Sequence, residues 1–346
     1  MATSDAPIDL WQGAAAGEPL PPDSPLYQVR SEDEIKACQA ILEPGALVRI
    51  RASHGMGKTT LINQLLHSAA MGNCKTAYLS FANLDLATFE DLDRFLHEFC
   101  RQVAHSLQIP DRLEDYWDDF FGVTICCKSY FEEYLLPQVN DPVVLALDDV
   151  DRIFSWQDLA DDFFGLLRAW HEDAKTRAVW RQLRLIVAHS TDLYVPQNIN
   201  KSPFNVGLPV ELGPFGAEQI VPVLGQWQLG LSEPDVSTLA RFVGGRPNLL
   251  SLACQALAQK GGDLAATLQA ALTADSPFQR HLGRLQTALD GRPQLAETLA
   301  AVMAGEACET LEAQHLFTLD SLGVLVVAGQ KTQFSCDLYA HWLANR

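Results

Sequence analysis

A short run of glycines, a lysine and two threonines between residues 52 and 60 has the composition of a loop that binds phosphate. It reads ASHGMGKTT and matches the pattern G-x-x-x-x-G-K-[ST] except at its first position, where Ala52 replaces glycine. Gly55 and Gly57 let the backbone turn so that its N–H groups face an anion. The first position lies farthest from the phosphates, so alanine is compatible with binding provided that its φ stays negative.

The residues around this loop have the context that the motif requires. The short β-type run Ala46–Ile50 precedes the loop and predicts a strand, and the sequence after the loop predicts an amphipathic helix. Lys58 would reach the β- and γ-phosphates, and the hydroxyl of Thr59 would bind Mg²⁺. The candidate nucleotide-binding residues here are Ser53, His54, Gly55, Met56, Gly57, Lys58, Thr59 and Thr60.

Two adjacent acids form a second motif. The apolar residues Val143–Leu147 run directly into Asp148 and Asp149, as expected of a buried parallel strand that places carboxylates at its C-terminal end. Asp148 would hold Mg²⁺, and Asp149 would orient or deprotonate an attacking water. A core strand ending in a capped turn is the alternative. The phosphate loop earlier on the same chain favours the nucleotide site.

Composition restricts the class of protein. The chain has 346 residues, 48% of them hydrophobic, which is enough for two or three compact units. A formal net charge of −18 argues against a broad nucleic-acid or anionic-membrane footprint. No apolar run approaches the roughly 20 residues that span a bilayer. Eight cysteines without a C-x-x-C pair suit reduced thiols, so a cytoplasmic protein is expected.

The order of predicted elements indicates an α/β fold with two smaller units after it. Helical segments separate five strand-like runs, which predicts a parallel sheet covered on both faces. These runs are Ala46–Ile50, Thr76–Phe81, Val143–Asp148, Arg184–His189 and Val206–Leu212. The division that follows is a flexible tail over residues 1–24, a nucleotide-binding domain over 25–213, a helical lid over 214–275 and a winged helix over 276–346.

The C-terminal unit raises the question of DNA binding. A helix ending at Gly323, two short strands and a final helix form a winged-helix pattern. The helix that would read DNA, residues 309–323, has three acids and no Lys or Arg. DNA binding depends mainly on basic residues that neutralise phosphates. We therefore favour packing of this unit on the other domains of the chain or on another protein.

Two aromatic clusters lie in the first half of the chain. Phe163, Phe164, Leu167 and Trp170 fall at helical spacing, which predicts core packing. The segment Asp115–Gly122, DYWDDFFG, has an irregular pattern instead. Core packing is its default interpretation, and a docking surface for a partner is the alternative.

Several linked motifs together resemble those of AAA-like P-loop ATPases of the STAND class, in particular a bacterial AAA-like group. They read GALVRIRASHGMGKTTL, LALDDVDR, FFGLLRAWHE, AHSTDLY and SPFNVGLPVEL. The resemblance extends from about residue 24 to the C-terminus. It implies a three-layer αβα P-loop NTPase with the ASCE strand order 5-1-4-3-2, followed by a helical lid and a winged helix.

The same resemblance implies ATP or ADP with Mg²⁺ as cofactors and assigns further site residues. Ser190, in the segment His189–Thr191, would sense the γ-phosphate, and Pro247 would pack against the adenine. Arg30 aligns with an arginine that helps to hold the nucleotide, although its usual neighbouring glycine is absent. Asp149 stands where glutamate is common, which predicts slower hydrolysis.

The absence of an arginine after the sensor strand distinguishes a nucleotide-dependent switch from a ring-forming ATPase motor. Between Arg184 and Arg241 the sequence has no arginine, so the finger that ring-forming AAA+ motors insert into a neighbouring subunit is missing there. Arg152, Arg168 and Arg246 are the candidates that could substitute for this finger. We therefore expect a slow ATPase that acts as a switch in signal transduction through protein partners and that oligomerises with nucleotide. A non-catalytic nucleotide-binding scaffold is the first alternative, and a DNA-associated AAA+ regulator, which the charge opposes, is the second.

Overall fold

The computed structural model describes residues 16–118, 120–190, 203–329 and 331–345, and the chain divides into two compact units. We call Ser31–Arg51 with Leu61–Glu211 the sheet unit. The loop unit contains Ala52–Thr60 and the described parts of Met1–Arg30 and Leu212–Arg346. Across these described ranges, no helix has both the length and the apolar character needed to cross a membrane.

A five-stranded parallel sheet forms the centre of the sheet unit. Its strands are β1 (Leu47–Arg51), β2 (Lys75–Ser80), β3 (Val143–Asp148), β4 (Leu183–His189) and β5 (Leu208–Glu211). They lie in the order β2-β3-β4-β1-β5, and every neighbouring pair is parallel. Read from the other edge this is 5-1-4-3-2, so the predicted strand order and the αβα P-loop NTPase fold are confirmed.

The central strands are apolar because helices cover both faces of the sheet. All six residues of β3 and all seven of β4 are buried. A parallel strand that is buried on both sides reads as a continuous apolar run rather than an alternating one. In the register of β2 and β3, Ser80 lies opposite Asp148, so both strands end in polar side chains at the same edge.

Six α-helices accompany these strands. They are α1 (Glu32–Ala40), α2 (Lys58–Met71, which begins in the loop unit), α3 (Leu92–Ser106), α4 (Val123–Ser129), α5 (Leu136–Val139) and α6 (Gln157–Asp173). A π-helical segment, Tyr130–Leu135, joins α4 to α5. The α6 side chains at helical spacing, Phe163 and Trp170 among them, are buried, so their predicted place in the core is confirmed.

The loop unit consists mainly of helices. They are α7 (Ala217–Gln226), α8 (Glu233–Val243), α9 (Pro247–Gln259), α10 (Leu264–Gln269), α11 (Gln279–Asp290), α12 (Pro293–Met303), α13 (Ala313–Ser321) and α14 (Asp337–Ala344). Strands β6 (Leu325–Ala328) and β7 (Lys331–Phe334) form an antiparallel pair between α13 and α14. The predicted succession of helix, two strands and helix is confirmed. The lid, the winged helix and their boundaries stay predictions.

Part of the predicted N-terminal tail falls within the described residues. The N–H of Gly17 donates to Ser251 Oγ at 2.8 Å, and the N–H of Leu20 donates to Thr60 Oγ1 at 3.2 Å. Residues 16–20 therefore contact both α9 and the start of α2. The first fifteen residues of that tail lie outside the described residues.

Candidate nucleotide site

The phosphate loop occupies the six residues between β1 and α2. Gly55 has φ +80° and Gly57 has φ +91°, a region that side chains rarely adopt. A Cβ at Gly55 would also lie 2.5 Å from the side-chain nitrogen of Asn248. Ala52 is buried and has no positive φ. The loop therefore needs glycine at residue 55 but not at residue 52, and the departure from the motif is compatible with its fold.

Lys58 is the first residue of α2, and only 6% of it is exposed. Its Nζ donates to the carbonyl oxygen of Ala52 at 2.9 Å and to that of Ser53 at 3.5 Å. The first turn of α2 has no acidic residue, so the positive end of the helix dipole faces this region without a competing charge. The ammonium and the helix terminus together favour an anion at the loop.

Arg246, immediately before α9, holds the loop from the other side. It is 4% exposed and donates to the carbonyl oxygen of His54 and, at 3.4 Å, to Ser53 Oγ. The N–H of His54 donates to the carbonyl oxygen of Ser321 in α13 at 2.9 Å. The loop backbone is thus bonded to residues near the start of α9 and at the end of α13.

Gly323 makes room for this arrangement. It has φ +75°, and a Cβ there would overlap the guanidinium of Arg246. The sequence alone suggested Arg246 as a substitute for an inter-subunit finger. The structure instead engages its guanidinium with the loop of its own chain, and this argues against the finger role.

Arg30 also contacts the loop backbone. Its Nη1 donates to the carbonyl oxygens of Met56 at 2.7 Å and of Gly213 at 3.1 Å. Its guanidinium lies 5.1 Å from the centroid of the Phe215 ring, within the range of a cation–π contact. The structure therefore gives Arg30 a role in shaping the loop. Its predicted contact with the nucleotide stays a prediction.

Pro247 begins α9 after two glycines with positive φ, Gly244 and Gly245. The next residue, Asn248, donates its backbone N–H to the carbonyl oxygen of Gly55 at 3.4 Å. The start of α9 is therefore in contact with the loop. The packing of Pro247 against adenine stays a prediction.

In the sheet unit, the acid pair ends β3. Asp148 is 1% exposed, and its carboxylate accepts from Tyr78 Oη at 3.1 Å and from the N–H of Asp149 at 2.9 Å. Asp149 accepts from Ser80 Oγ at 2.7 Å. Burial, and then the charge of Asp148, raise the pKa of Tyr78 above its ordinary value, so its hydroxyl stays protonated and donates.

The backbone conformation at residue 149 favours aspartate over glutamate. Its φ is +55°, in the left-handed region, where Asp and Asn are several-fold enriched over other side chains. The glutamate that is common at this position in the resembling family is less suited to that conformation. Aspartate therefore fits the local turn as well as the predicted chemistry.

The predicted sensor lies at the end of β4. Ser190 is buried, and its N–H donates to Asp151 Oδ1 at 2.9 Å. His189 packs on Phe204, with ring centroids 4.8 Å apart. Thr191 lies outside the described residues. The turn after β3 and the end of β4 are therefore connected, which suits a paired role of Asp149 and Ser190.

The family of this chain follows from comparison with known proteins. The profile of the AAA-like domain family matches residues 15–345. The chain belongs to the AAA-like domain family. A WD repeat-containing protein of Synechocystis sp. is 25% identical to this AAA-like domain over 264 residues, which are 72% of the chain. The chain spans 21% of the length of that relative, about a fifth.

Solved structures resemble the AAA-like domain in fold. A Walker-type ATPase of Pyrococcus abyssi has a TM-score of 0.67 at 13% identity, covering 95% of this chain and 100% of that one. The ORC2 protein of Aeropyrum pernix, solved in ADPNP–ADP complexes, has a TM-score of 0.54 at 16% identity, covering 92% and 94%. The chain therefore has the nucleotide-binding fold of AAA-like ATPases.

Three polar contacts of this AAA-like domain were not predicted from its sequence. Tyr78 and Ser80 bond to the acid pair, and Arg246 bonds to the loop. The alternation of side chains along β2 puts Tyr78 and Ser80 on one face, which is the signal that a sequence reading could have used. For Arg246 the signal is its place directly after two glycines that end a helix.

A half-buried histidine, whose pKa is lowered in part by the charge of Arg246, makes the AAA-like domain sensitive to acid. His281 Nε2 forms a hydrogen bond of 2.8 Å with Tyr339 Oη. Burial, and then the charge of Arg246, lower the pKa of His281 from 6.5 to about 4. Between these two values the unfolded chain binds a proton that the folded chain does not bind. The free energy of unfolding should therefore decrease as the pH falls from about 6.5 to about 4.

The variant His281→Gln should remove this dependence. We expect it to flatten the decrease by at most about 3 kcal/mol, measured as the free energy of unfolding in urea across that pH range. The exposed His105→Gln is the matched control and should leave the slope as it is in the wild type. Identical slopes in both variants would refute the role of His281.

Proposed function

We propose that this AAA-like domain binds ATP and ADP with Mg²⁺ and acts as a slowly hydrolysing regulatory switch. The observation that carries the proposal is the bonding of the phosphate loop to helices of its own unit. His54 of the loop is bonded to Ser321 of α13 and to Arg246 before α9. A change of ligand that moves the loop backbone would therefore act directly on helices that lie far away in the sequence.

Each predicted residue has a role in this proposal. Lys58 binds the β- and γ-phosphates, and Thr59 and Asp148 supply the oxygen ligands that Mg²⁺ prefers. Asp149 orients the attacking water, and Ser190 senses the γ-phosphate. Mg²⁺, when bound, would neutralise charge on the phosphates.

The energetics of switching follow from the contacts of Lys58. With phosphate bound, Lys58 exchanges its bonds to the carbonyls of Ala52 and Ser53 for charge-assisted bonds, each worth about 1.5–3 kcal/mol. A shift of the population almost entirely from one state to the other requires a difference in binding free energy of about 5.5 kcal/mol between the two states. Two or three contacts that ATP makes and ADP lacks supply this difference.

Slow hydrolysis, rather than fast, is favoured by the geometry of Asp149. Its Oδ2 accepts from Ser80 Oγ at 2.7 Å, which occupies a carboxylate oxygen that an attacking water would use. The same bond supports the alternative, a scaffold that binds nucleotide without hydrolysing it. The two functions differ in whether Asp149 changes the rate of turnover.

Protein partners are proposed as the output of the switch. A related protein is WD repeat-containing by name, and the match spans 21% of its length, so a repeat module is a suitable partner. The net charge of −18 favours proteins over nucleic acid. A cytoplasmic location and nucleotide-dependent self-association belong to the same proposal.

The proposal is tested by the nucleotide content of the freshly purified protein and by its steady-state ATP turnover. We expect retained ADP and slow turnover, and in Asp149→Asn a turnover lower by about 100-fold with ADP still bound. Asparagine tolerates the left-handed backbone of residue 149, so this change removes the charge without straining the turn. Asp141→Asn, two residues before β3, is the control with wild-type turnover.

The outcomes separate the two functions. Bound nucleotide with equal turnover in Asp149→Asn and wild type would identify the scaffold. Protein that neither carries nor takes up nucleotide would overturn both.

A further inference from the structure

Phe120 and Phe121, which follow Asp118 in the chain, and Ile125 of α4 are exposed apolar side chains, and we call Asp118, Phe120, Phe121 and Ile125 the aromatic turn. Phe120 is 94% exposed, Phe121 59% and Ile125 55%. Exposed apolar side chains this close together in the sequence commonly mark an interaction site.

The aromatic turn is held in shape by its own bonds. Asp118 accepts the N–H of Phe120 on its side chain at 2.9 Å and the N–H of Phe121 on its carbonyl at 3.0 Å. At its base, Trp117 donates its ring N–H to Asp93 Oδ1 at 2.7 Å, and Tyr116 stacks on Tyr134. The two phenylalanines are therefore presented from an anchored base.

A cavity of about 490 Å³ in the loop unit has the matching chemistry. Its apolar wall includes Trp227, Leu252 and Pro277, and α11 contributes Arg280 and Arg284 one turn apart. Its volume lies within the range of about 300–1,000 Å³ that is typical of ligand sites. The cavity therefore offers an apolar wall with cations beside it.

The charges of the two features are complementary. The aromatic turn carries Asp118 and, in the sequence, Asp119. On the cavity side the acid is Glu18, 3.8 Å from Arg284, where both side chains are exposed. His281 also lines the cavity and is neutral at pH 7 because burial lowers its pKa to about 4. Two arginines against one glutamate leave the cavity positive, in a chain whose net charge is −18.

We propose that the aromatic turn of one copy of this chain docks in the cavity of a second copy. Phe120 and Phe121 would enter against Trp227, and the carboxylate of Asp118 would pair with Arg280 or Arg284. The contact joins two different surfaces, so it is heterologous: one copy of the pair keeps an unused cavity, the other keeps an unused turn, and further copies can add. The inference stands on these two features and does not depend on the proposed nucleotide switch.

The size of the contact sets its strength. Two buried aromatic rings contribute about 300–500 Å², which is less than the roughly 1,200 Å² of a stable interface. We therefore expect a weak association that depends on protein concentration.

Sedimentation velocity from about 1 to 200 μM protein is the first test. The average mass of the wild type should rise above 38.1 kDa as concentration increases. The double variants Phe120→Ser/Phe121→Ser and Arg280→Glu/Arg284→Glu should each stay at the monomer mass. Met71→Ser, 75% exposed in α2, and Arg292→Glu, exposed outside the cavity, are matched controls that should associate as the wild type does.

Mixing the two double variants is the decisive test. The Ser variant retains a cavity and the Glu variant retains a turn, so together they should form a 1:1 complex that stops at two copies. A wild type that is monomeric throughout, a mixture that does not associate, or association that both double variants retain would each overturn the proposal.

Discussion

Replacing Lys58 with alanine should lower the affinity for ATP and ADP by about 10²–10⁴-fold. Lys58 supplies two charge-assisted bonds to phosphate in the proposed site, each worth about 1.5–3 kcal/mol, and their loss sums to about 3–6 kcal/mol. Lys58 is 6% exposed and lies at the start of α2, where water can replace its ammonium only partly. Isothermal titration with ATP and ADP, and the nucleotide content of the purified variant, measure this loss.

A lower affinity of Lys58→Ala could come from the lost phosphate contacts or from a disturbed loop. Lys58 also donates to the carbonyls of Ala52 and Ser53, so its removal acts on the loop itself. Lys58→Met keeps most of the side-chain volume and removes only the charge and the donors. Lys36→Ala, in which the exposed lysine of α1 loses only surface ion pairs, is the control and should bind as the wild type does. Unchanged affinity in both Lys58 variants would remove the loop from the proposed function.

The variant Arg246→Met should lower the free energy of unfolding by about 2–6 kcal/mol. The carbonyl oxygen of His54 and the hydroxyl of Ser53 lose this buried donor, and each loss costs about 1–3 kcal/mol. Arg246→Lys should recover little, because an ammonium cannot reproduce the planar fork that serves two acceptors. Urea denaturation at pH 7 measures both variants.

A second measurement on Arg246→Met follows from its charge. Arg246 is the largest contributor after burial to the lowered pKa of His281, so the pKa of His281 should rise from about 4 when this cation is removed. Titration of the His281 ring by NMR reads this shift directly. The control is Arg241→Met, whose exposed ion pair with Asp337 contributes no more than about 1 kcal/mol. Equal stability of the Arg241 and Arg246 variants would contradict the role of Arg246 in holding the loop.

These two predictions concern different parts of one loop. Lys58 acts on the bound phosphate, whereas Arg246 acts on the loop backbone from the side of α9. Because Arg246 joins the loop to the start of α9, Arg246→Met should also alter nucleotide retention, although Arg246 is not among the predicted phosphate ligands.

The sequence by itself determined the elements and the motifs that depend on near neighbours. The apolar run Val143–Leu147 predicted a buried strand that ends in two acids, because side chains of a doubly covered strand are all apolar. The glycines at 55 and 57 predicted the shape of the loop, because only that residue type adopts such a backbone freely. The strand order came with the resemblance to AAA-like ATPases, and the structure confirms it.

Only the tertiary structure decided which distant side chains hold these motifs. Arg246 contacts Ser53 across 193 residues of sequence, and Tyr78 contacts Asp148 across 70. The left-handed backbone of Asp149 and the compatible backbone of Ala52 depend in the same way on the folded turn and loop. No periodicity encodes such contacts, because each depends on where helices and strands far apart in the chain are brought together by the burial of their apolar faces.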